Sequence, residues 1–132
     1  MRTNGVLLAV LLVGMAVSAG GCVAAVVAVG AGAAGTVAYI SGDLEAVESR
    51  SLADVYEATL KAVGELELST TRESKDALSA VIVARDAQDK KIMIKLRAST
   101  EETTKISIRV AVFGDETKSR LIYQKIRENL YK

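Results

Sequence analysis

Reactive side chains are scarce in this chain. None of its 132 residues is histidine, so histidine triads, histidine-ligated metals and imidazole proton shuttles are excluded. A lone cysteine, Cys22, rules out an internal disulfide and a multi-cysteine metal cluster. Carboxylates are plentiful, but Asp76, Asp86 and Asp89 lie near strand ends and turns, and Glu101-Glu102 reads as a solvated loop. A paired-carboxylate site needs two groups facing one cleft at a set separation, and no spacing here fixes one. Without histidine, a serine hydrolase would need a Ser-Lys dyad, and no Ser-x-x-Lys arrangement is present in the globular part. Gly114-Asp115 lacks the glycine-rich loop of a phosphate cradle and reads as a helix cap. The expectation is a non-enzymatic protein with no cofactor and no metal site.

What chemistry remains is the thiol of Cys22 and a set of basic side chains. Lys and Arg number 17 against 16 Asp and Glu, so bulk charge does not recommend a nucleic-acid partner. The charges are placed unevenly: beyond Arg2, the 40 residues Thr3 to Gly42 carry none, and eight of the ten glycines fall in the first 42 residues. An apolar leader therefore precedes a water-compatible segment from Asp43 to Lys132. Arg2 is a minimal positive n-region, and Val6 to Val17 is an apolar run of the length secretory signals use.

Ser18-Ala19-Gly20-Gly21-Cys22 resembles the lipobox of bacterial lipoprotein signal peptides. The resemblance implies that diacylglycerol joins the Cys22 sulfur and that cleavage before it makes Cys22 the first mature residue. Ala19 departs from the pattern, which usually carries Leu there. The competing reading is a buried free thiol in a membrane helix. Each buried methylene contributes about 0.8 kcal/mol, so two or three acyl chains hold almost permanently. Val23, rather than an Asp, follows the cysteine, which by the same resemblance favours the outer membrane, facing the periplasm. Val23 to Ile40 then adds 18 uncharged residues, about 27 Å as a helix. The favoured reading is a membrane-proximal tether or helix over 22–42, and the alternative is a second span in an unlipidated inner-membrane protein.

The elements that position the basic residues are legible from periodicity. Asp43 to Ser49 alternates as a short edge strand. Ser51 with Asp54 makes an N-cap, and Leu52, Val55, Tyr56, Leu60, Val63 and Leu66 recur as one helical stripe over about 52–66. Leu68 to Ser74 is a polar edge strand, and Leu78 to Arg85 is apolar at both parities. Lys91 to Ala98 and Lys105 to Phe113 alternate with period two, with Ile106, Ile108, Val110 and Val112 inward in the second. Gly114-Asp115 caps a last helix with Ile122, Ile126 and Leu130 spaced four apart. The order predicts an α+β two-layer sandwich: an antiparallel sheet of four to five strands with two helices on one face.

If the alternation holds, Lys91, Met93, Lys95, Arg97, Lys105, Arg109 and Phe113 share the face away from the helices. Val81 and Val83 join them if Ala80 and Ile82 point inward. This face is the candidate docking surface for an anionic envelope partner: lipid head groups, cell-wall polymer or an acidic protein patch. The bland alternative is a solvated face whose long stems cover apolar surface. A pocket between helices and sheet, serving a small ligand or an enzyme, is a third reading.

Tyr39-Ile40-Ser41-Gly42-Asp43-Leu44, Ser51-Leu52-Ala53-Asp54-Val55-Tyr56 and the segment Ile106 to Glu116 resemble an uncharacterised family of small bacterial lipoproteins. That resemblance implies a periplasm-facing lipoprotein of unknown function. The globular part also resembles the helix-grip domains of the C component of the outer-membrane β-barrel assembly machine, a likeness of architecture that carries no function. The chain thus divides into a signal peptide (1–21), a lipidated tether (22–42) and a globular domain (43–132).

Overall fold

The structure is a computed structural model that describes residues 37–132. The expected signal peptide, Cys22 and most of the tether lie outside the described residues. The described chain forms β1 (Val37–Ile40), β2 (Asp43–Glu48), α1 (Leu52–Glu65), β3 (Ser69–Lys75), β4 (Ser79–Arg85), β5 (Lys91–Thr100), β6 (Thr103–Val110) and α2 (Glu116–Leu130).

Alternation decides the sheet. Side chains of successive residues point to opposite faces, so the apolar parity of each strand must meet its neighbour's across the ladder. Leu44, Ile108, Ile94 and Ile82 form one continuous row across β2, β6, β5 and β4, and Ala46, Ile106, Leu96 and Ala80 form the next. Every member of both rows is at most 2% exposed. The result is a six-stranded antiparallel sheet in the order β1-β2-β6-β5-β4-β3. The α+β two-layer expectation holds, with one strand more than the four to five foreseen.

The added strand is β1. Val37–Ile40, assigned from sequence to the apolar tether, pairs with β2 from Val37 opposite Ala46 to Ile40 opposite Asp43. Tyr39 lies opposite Leu44 and packs against the core, which explains why these residues leave the apolar stretch for the sheet.

Both helices start where the caps placed them. The Ser51 hydroxyl accepts from the Asp54 amide at 3.2 Å, and the Asp115 carboxylate from the Lys118 amide at 3.0 Å. Helix α1 ends in a Schellman closure: the Leu68 amide donates to the Val63 carbonyl and the Glu67 amide to the Gly64 carbonyl, with Glu67 left-handed at φ 55°. Leu52, Val55, Tyr56, Ala62 and Val63 from α1, with Ile122, Tyr123, Ile126 and Leu130 from α2, bury against the aliphatic rows. Among the described residues no helix is long and apolar enough to cross a membrane.

Strand β6 stops short of its sequence expectation. Val112 is 78% exposed rather than inward, because Ala111 turns left-handed at φ 60° and ends the alternation at Val110. Gly114, at φ 84°, then lets this loop pack against the β1–β2 turn: a Cβ there would sit 2.4 Å from the Gly42 carbonyl oxygen and from the Tyr39 hydroxyl. Gly64, in α1, has open space around it. Gly114→Ala is therefore expected to lower stability by at least about 2 kcal/mol, whereas Gly64→Ala raises it by about 0.5–1 kcal/mol. Urea denaturation of the two variants beside the parent chain measures both signs.

Candidate functional site

With one face sealed by helices, the other parity of every strand faces outward. The ladders place Arg97 opposite Lys105, Lys95 opposite Ser107, and Met93 opposite Arg109. On the far side of β5, Lys95 meets Val81, Met93 meets Val83, and Lys91 meets Arg85. Six of the seven residues expected on this face, Lys91, Met93, Lys95, Arg97, Lys105 and Arg109, thus share it. The edge strand adds Arg72, opposite Val83. Alternation in β3 carries that signal in the sequence, but a register shift between Thr70 and Arg72 masks its parity. Val81 is half-buried and Val83 is buried, and Ala80 and Ile82 do point into the core.

Phe113 is the exception. It stands on the loop after β6, 92% exposed, because the strand has already ended at Val110. It belongs to an end of the sheet and not to its face.

Arg109 shares the face but is not free to dock. Its Nε and Nη2 donate to the two Asp43 carboxylate oxygens at 2.8 and 3.0 Å, Nη2 also donates to the Ser41 carbonyl at 2.9 Å, and Nη1 to the Val112 carbonyl at 3.0 Å. The guanidinium beside Asp43 holds that carboxyl below the usual carboxylate range, with the charge of Lys95 adding to the effect. Lys105 is half-engaged, 3.2 Å from Glu45 in an exposed pair of little energetic weight. Lys91, Lys95 and Arg97 have no salt-bridge partner among the described residues.

A groove of about 520 Å³ opens at one end of this face, lined by Arg85, Asp89, Lys90, Lys91, Met93 and Val112 among others. The space between helices and sheet, by contrast, is filled by Leu44, Ile82, Ile94 and Ile108, each at most 1% exposed. The turn acids act as expected of turns. Asp76 accepts from the Leu78 and Ser79 amides at 2.8 and 2.9 Å, and Asp86 from the Gln88 and Lys90 amides at 2.9 Å, while Asp86 also takes the Lys118 ammonium. Hydrogen bonding from those backbone amides holds Asp76 low, and the Lys118 ammonium does the same for Asp86. Among the described residues no acidic group of metal-binding size gathers.

Sequence reasoning missed one polar cluster. Glu48, fully buried at the end of β2, receives the hydroxyls of Tyr123 and, at 2.6 Å, Tyr131, with Arg127 Nε 3.3 Å away. Arg50 and Arg127 lie over the Tyr131 ring at 5.1 and 5.4 Å from its centroid. Burial, then the Glu48 hydrogen bond, pushes both phenols' pKa values up. The signal was present: Leu44, Ala46 and Glu48 share the inward parity. Its partners come from α2 and the chain after it, so it ties the C-terminal helix to the sheet.

The fold and its outer face define a two-layer α+β domain that closes its core on one side and displays a basic sheet surface on the other. Residues 5–129 match the family described as "Protein of unknown function (DUF3568)", and the chain belongs to that family. Comparison with the curated proteins found none that matches.

The acidic groups held low by their partners set the acid behaviour. For Asp43, Asp76 and Asp86 the folded state binds the proton less well than the unfolded chain. Their stabilisation is present above the unfolded value, 3.8, and is lost as pH falls through the lower folded values. Asp43→Asn is expected to cost about 1–2 kcal/mol at neutral pH and to flatten the loss of stability below about pH 4, since charge-assisted hydrogen bonds contribute on that order. Urea melts of the parent and variant at pH 7 and pH 3 read both effects.

Proposed function

We propose that this chain is a non-enzymatic, lipid-anchored module of the bacterial envelope, facing the periplasm, most consistently at the outer membrane, and that it works by surface contact. Cys22 carries the lipid, and the open sheet face docks an anionic partner. The observation that supports docking is two like-charge pairs in the strand register. Arg85 lies directly opposite Lys91, and Arg97 directly opposite Lys105, on adjacent strands of one face. Directly opposed like charges weaken a sheet; Asp89 and Glu45 offset Arg85 and Lys105 in part, at 3.5 and 3.2 Å, and an anionic surface laid across Lys91 and Arg97 would offset the rest.

Anchoring is supported by the leader: Arg2, the apolar run Val6 to Val17 and the small residues up to Cys22. Strand β1 bears on the rival two-span reading. Because Val37–Ile40 pair in the sheet, a span starting after Gly20-Gly21 would have only Cys22 to Thr36. Fifteen residues give roughly 22 Å of helix against a hydrocarbon core of about 30 Å. A tether fits that length better than a crossing.

Palmitate labelling in cells tests the anchor. The parent chain takes up label and Cys22→Ala does not; an unlabelled parent overturns the anchor. Lys91→Glu with Lys95→Glu, two exposed positions outside the described ion pairs, tests the face. Capture from intact envelopes is expected to lose the anionic partner several-fold, and unchanged recovery removes the docking role. Arg109 is unsuitable for this purpose, because reversing its charge breaks the Asp43 contacts and confounds docking with folding.

A further inference from the structure

Exposed apolar side chains gather at one end of the sheet. Phe113 is 92% exposed, Val112 78% and Ile40 55%. Phe113 is the sole phenylalanine of the chain. Val112 and Phe113 stand on the loop after β6 and Ile40 ends β1 at the β1–β2 turn, and the structure clamps that loop and that turn together. Arg109 donates to the Ser41 carbonyl in one loop and to the Val112 carbonyl in the other, at 2.9 and 3.0 Å. A Cβ on Gly42 would lie 2.8 Å from the Phe113 carbonyl oxygen, so the two backbones touch. The backbone beneath the apolar tip is thus fixed by hydrogen bonds and close contact.

Cations flank the tip. Lys91 accepts at its carbonyl from the Ala111 amide at 2.8 Å, and Arg85, Lys90 and Lys91 line the groove that Val112 also lines, together with Asp89, which lies 3.5 Å from Arg85. Three apolar side chains are too few for a protein–protein interface, which takes about 800 Å² from each partner. An apolar wedge beside a groove that presents Lys90 and Lys91 instead matches the boundary between anionic head groups and acyl chains.

We propose that the Ile40–Val112–Phe113 tip inserts shallowly into a bilayer bearing anionic head groups, with Arg85, Lys90 and Lys91 meeting those head groups. This rests on the anchored reading for its proximity to a membrane: between Cys22 and Val37 lie 14 residues, which span up to about 50 Å when extended. The tip then fixes which end of the domain faces the lipid, and it names the anionic partner of that end.

The chain has no tryptophan, so Phe113→Trp gives a single fluorescent reporter at the tip. Leu78→Trp gives a second at the opposite end of the sheet, at a position 68% exposed. Each full-length variant is reconstituted into phosphatidylglycerol-containing vesicles with or without bromines on the acyl chains. Flotation scores anchoring separately from emission. For Phe113→Trp we expect a blue shift and a roughly twofold or greater brominated-lipid quench, as befits a side chain buried about 5–10 Å into the acyl boundary. Leu78→Trp should stay unquenched, and the tip signal should fall in zwitterionic vesicles or high salt. Floating protein without tip quenching overturns the insertion while leaving the anchor intact. Equal quenching of both reporters overturns the orientation, and quenching indifferent to head-group charge overturns the cationic contact. A chain that fails to float yet is quenched at the tip supports insertion and overturns the anchor.

Discussion

The guanidinium of Arg109 makes four hydrogen bonds that join chain segments more than sixty residues apart: the β1–β2 turn, Asp43 at the start of β2, and the loop after β6. Arginine suits this place because its planar fork satisfies a carboxylate and two carbonyls at once while staying charged at every accessible pH. The two turns it joins include Ser41, whose carbonyl it binds, and Ala111, both left-handed, and two glycines with positive φ, Gly42 and Gly114. Such a junction carries backbone strain that only a network of fixed partners sustains. That clamp fixes the backbone at the end of the sheet that carries Ile40, Val112 and Phe113.

Charge segregation follows from the sheet's two parities. The inward rows are aliphatic and nearly without aromatics, so isoleucine and alanine fill the space beneath the helices. The one charge admitted there, Glu48, is matched by two phenols and an arginine at the rim, as burial of a carboxylate requires. The other charged side chains of β2, β4, β5 and β6 take the outward parity. The concentration of lysine and arginine on β5 and β6 is therefore made possible by the fold but not demanded by it, since serine or threonine would serve solvation equally well.

How much of this was legible follows from the strength of each local signal. Strands β4 to β6 and both helix caps were readable, because period-two alternation and Ser or Asp caps are local rules that tertiary packing did not override. Strand β1 was not, because Val37–Ile40 continue a run of glycine, alanine and valine without a change in polarity; only their pairing with β2 distinguishes them. The end of β6 was hidden for a similar reason: Val112 continues the alternation, and the break lies in the φ of Ala111, a residue type with no preference for that conformation. The basic face was legible as a parity, yet the sequence could not separate Lys91, Lys95 and Arg97, which have no salt-bridge partner among the described residues, from Arg109, whose partners Asp43 and Ser41 are distant in the chain. Glu48 could have been found by following the inward parity of β2 one step further.

Strand β1 is both the shortest strand of the sheet and the point where the preceding chain enters it. It lies at the edge and pairs with β2 alone, over four residues. Any tension transmitted through the residues before Val37 is therefore carried first by this one short ladder. Its hydrogen bonds would yield before the aliphatic rows of β2, β6, β5 and β4 are disturbed, releasing about 10–15 Å of additional reach at a rise of roughly 3.3 Å per residue. Unpairing this edge strand would leave the buried rows of the other strands in register.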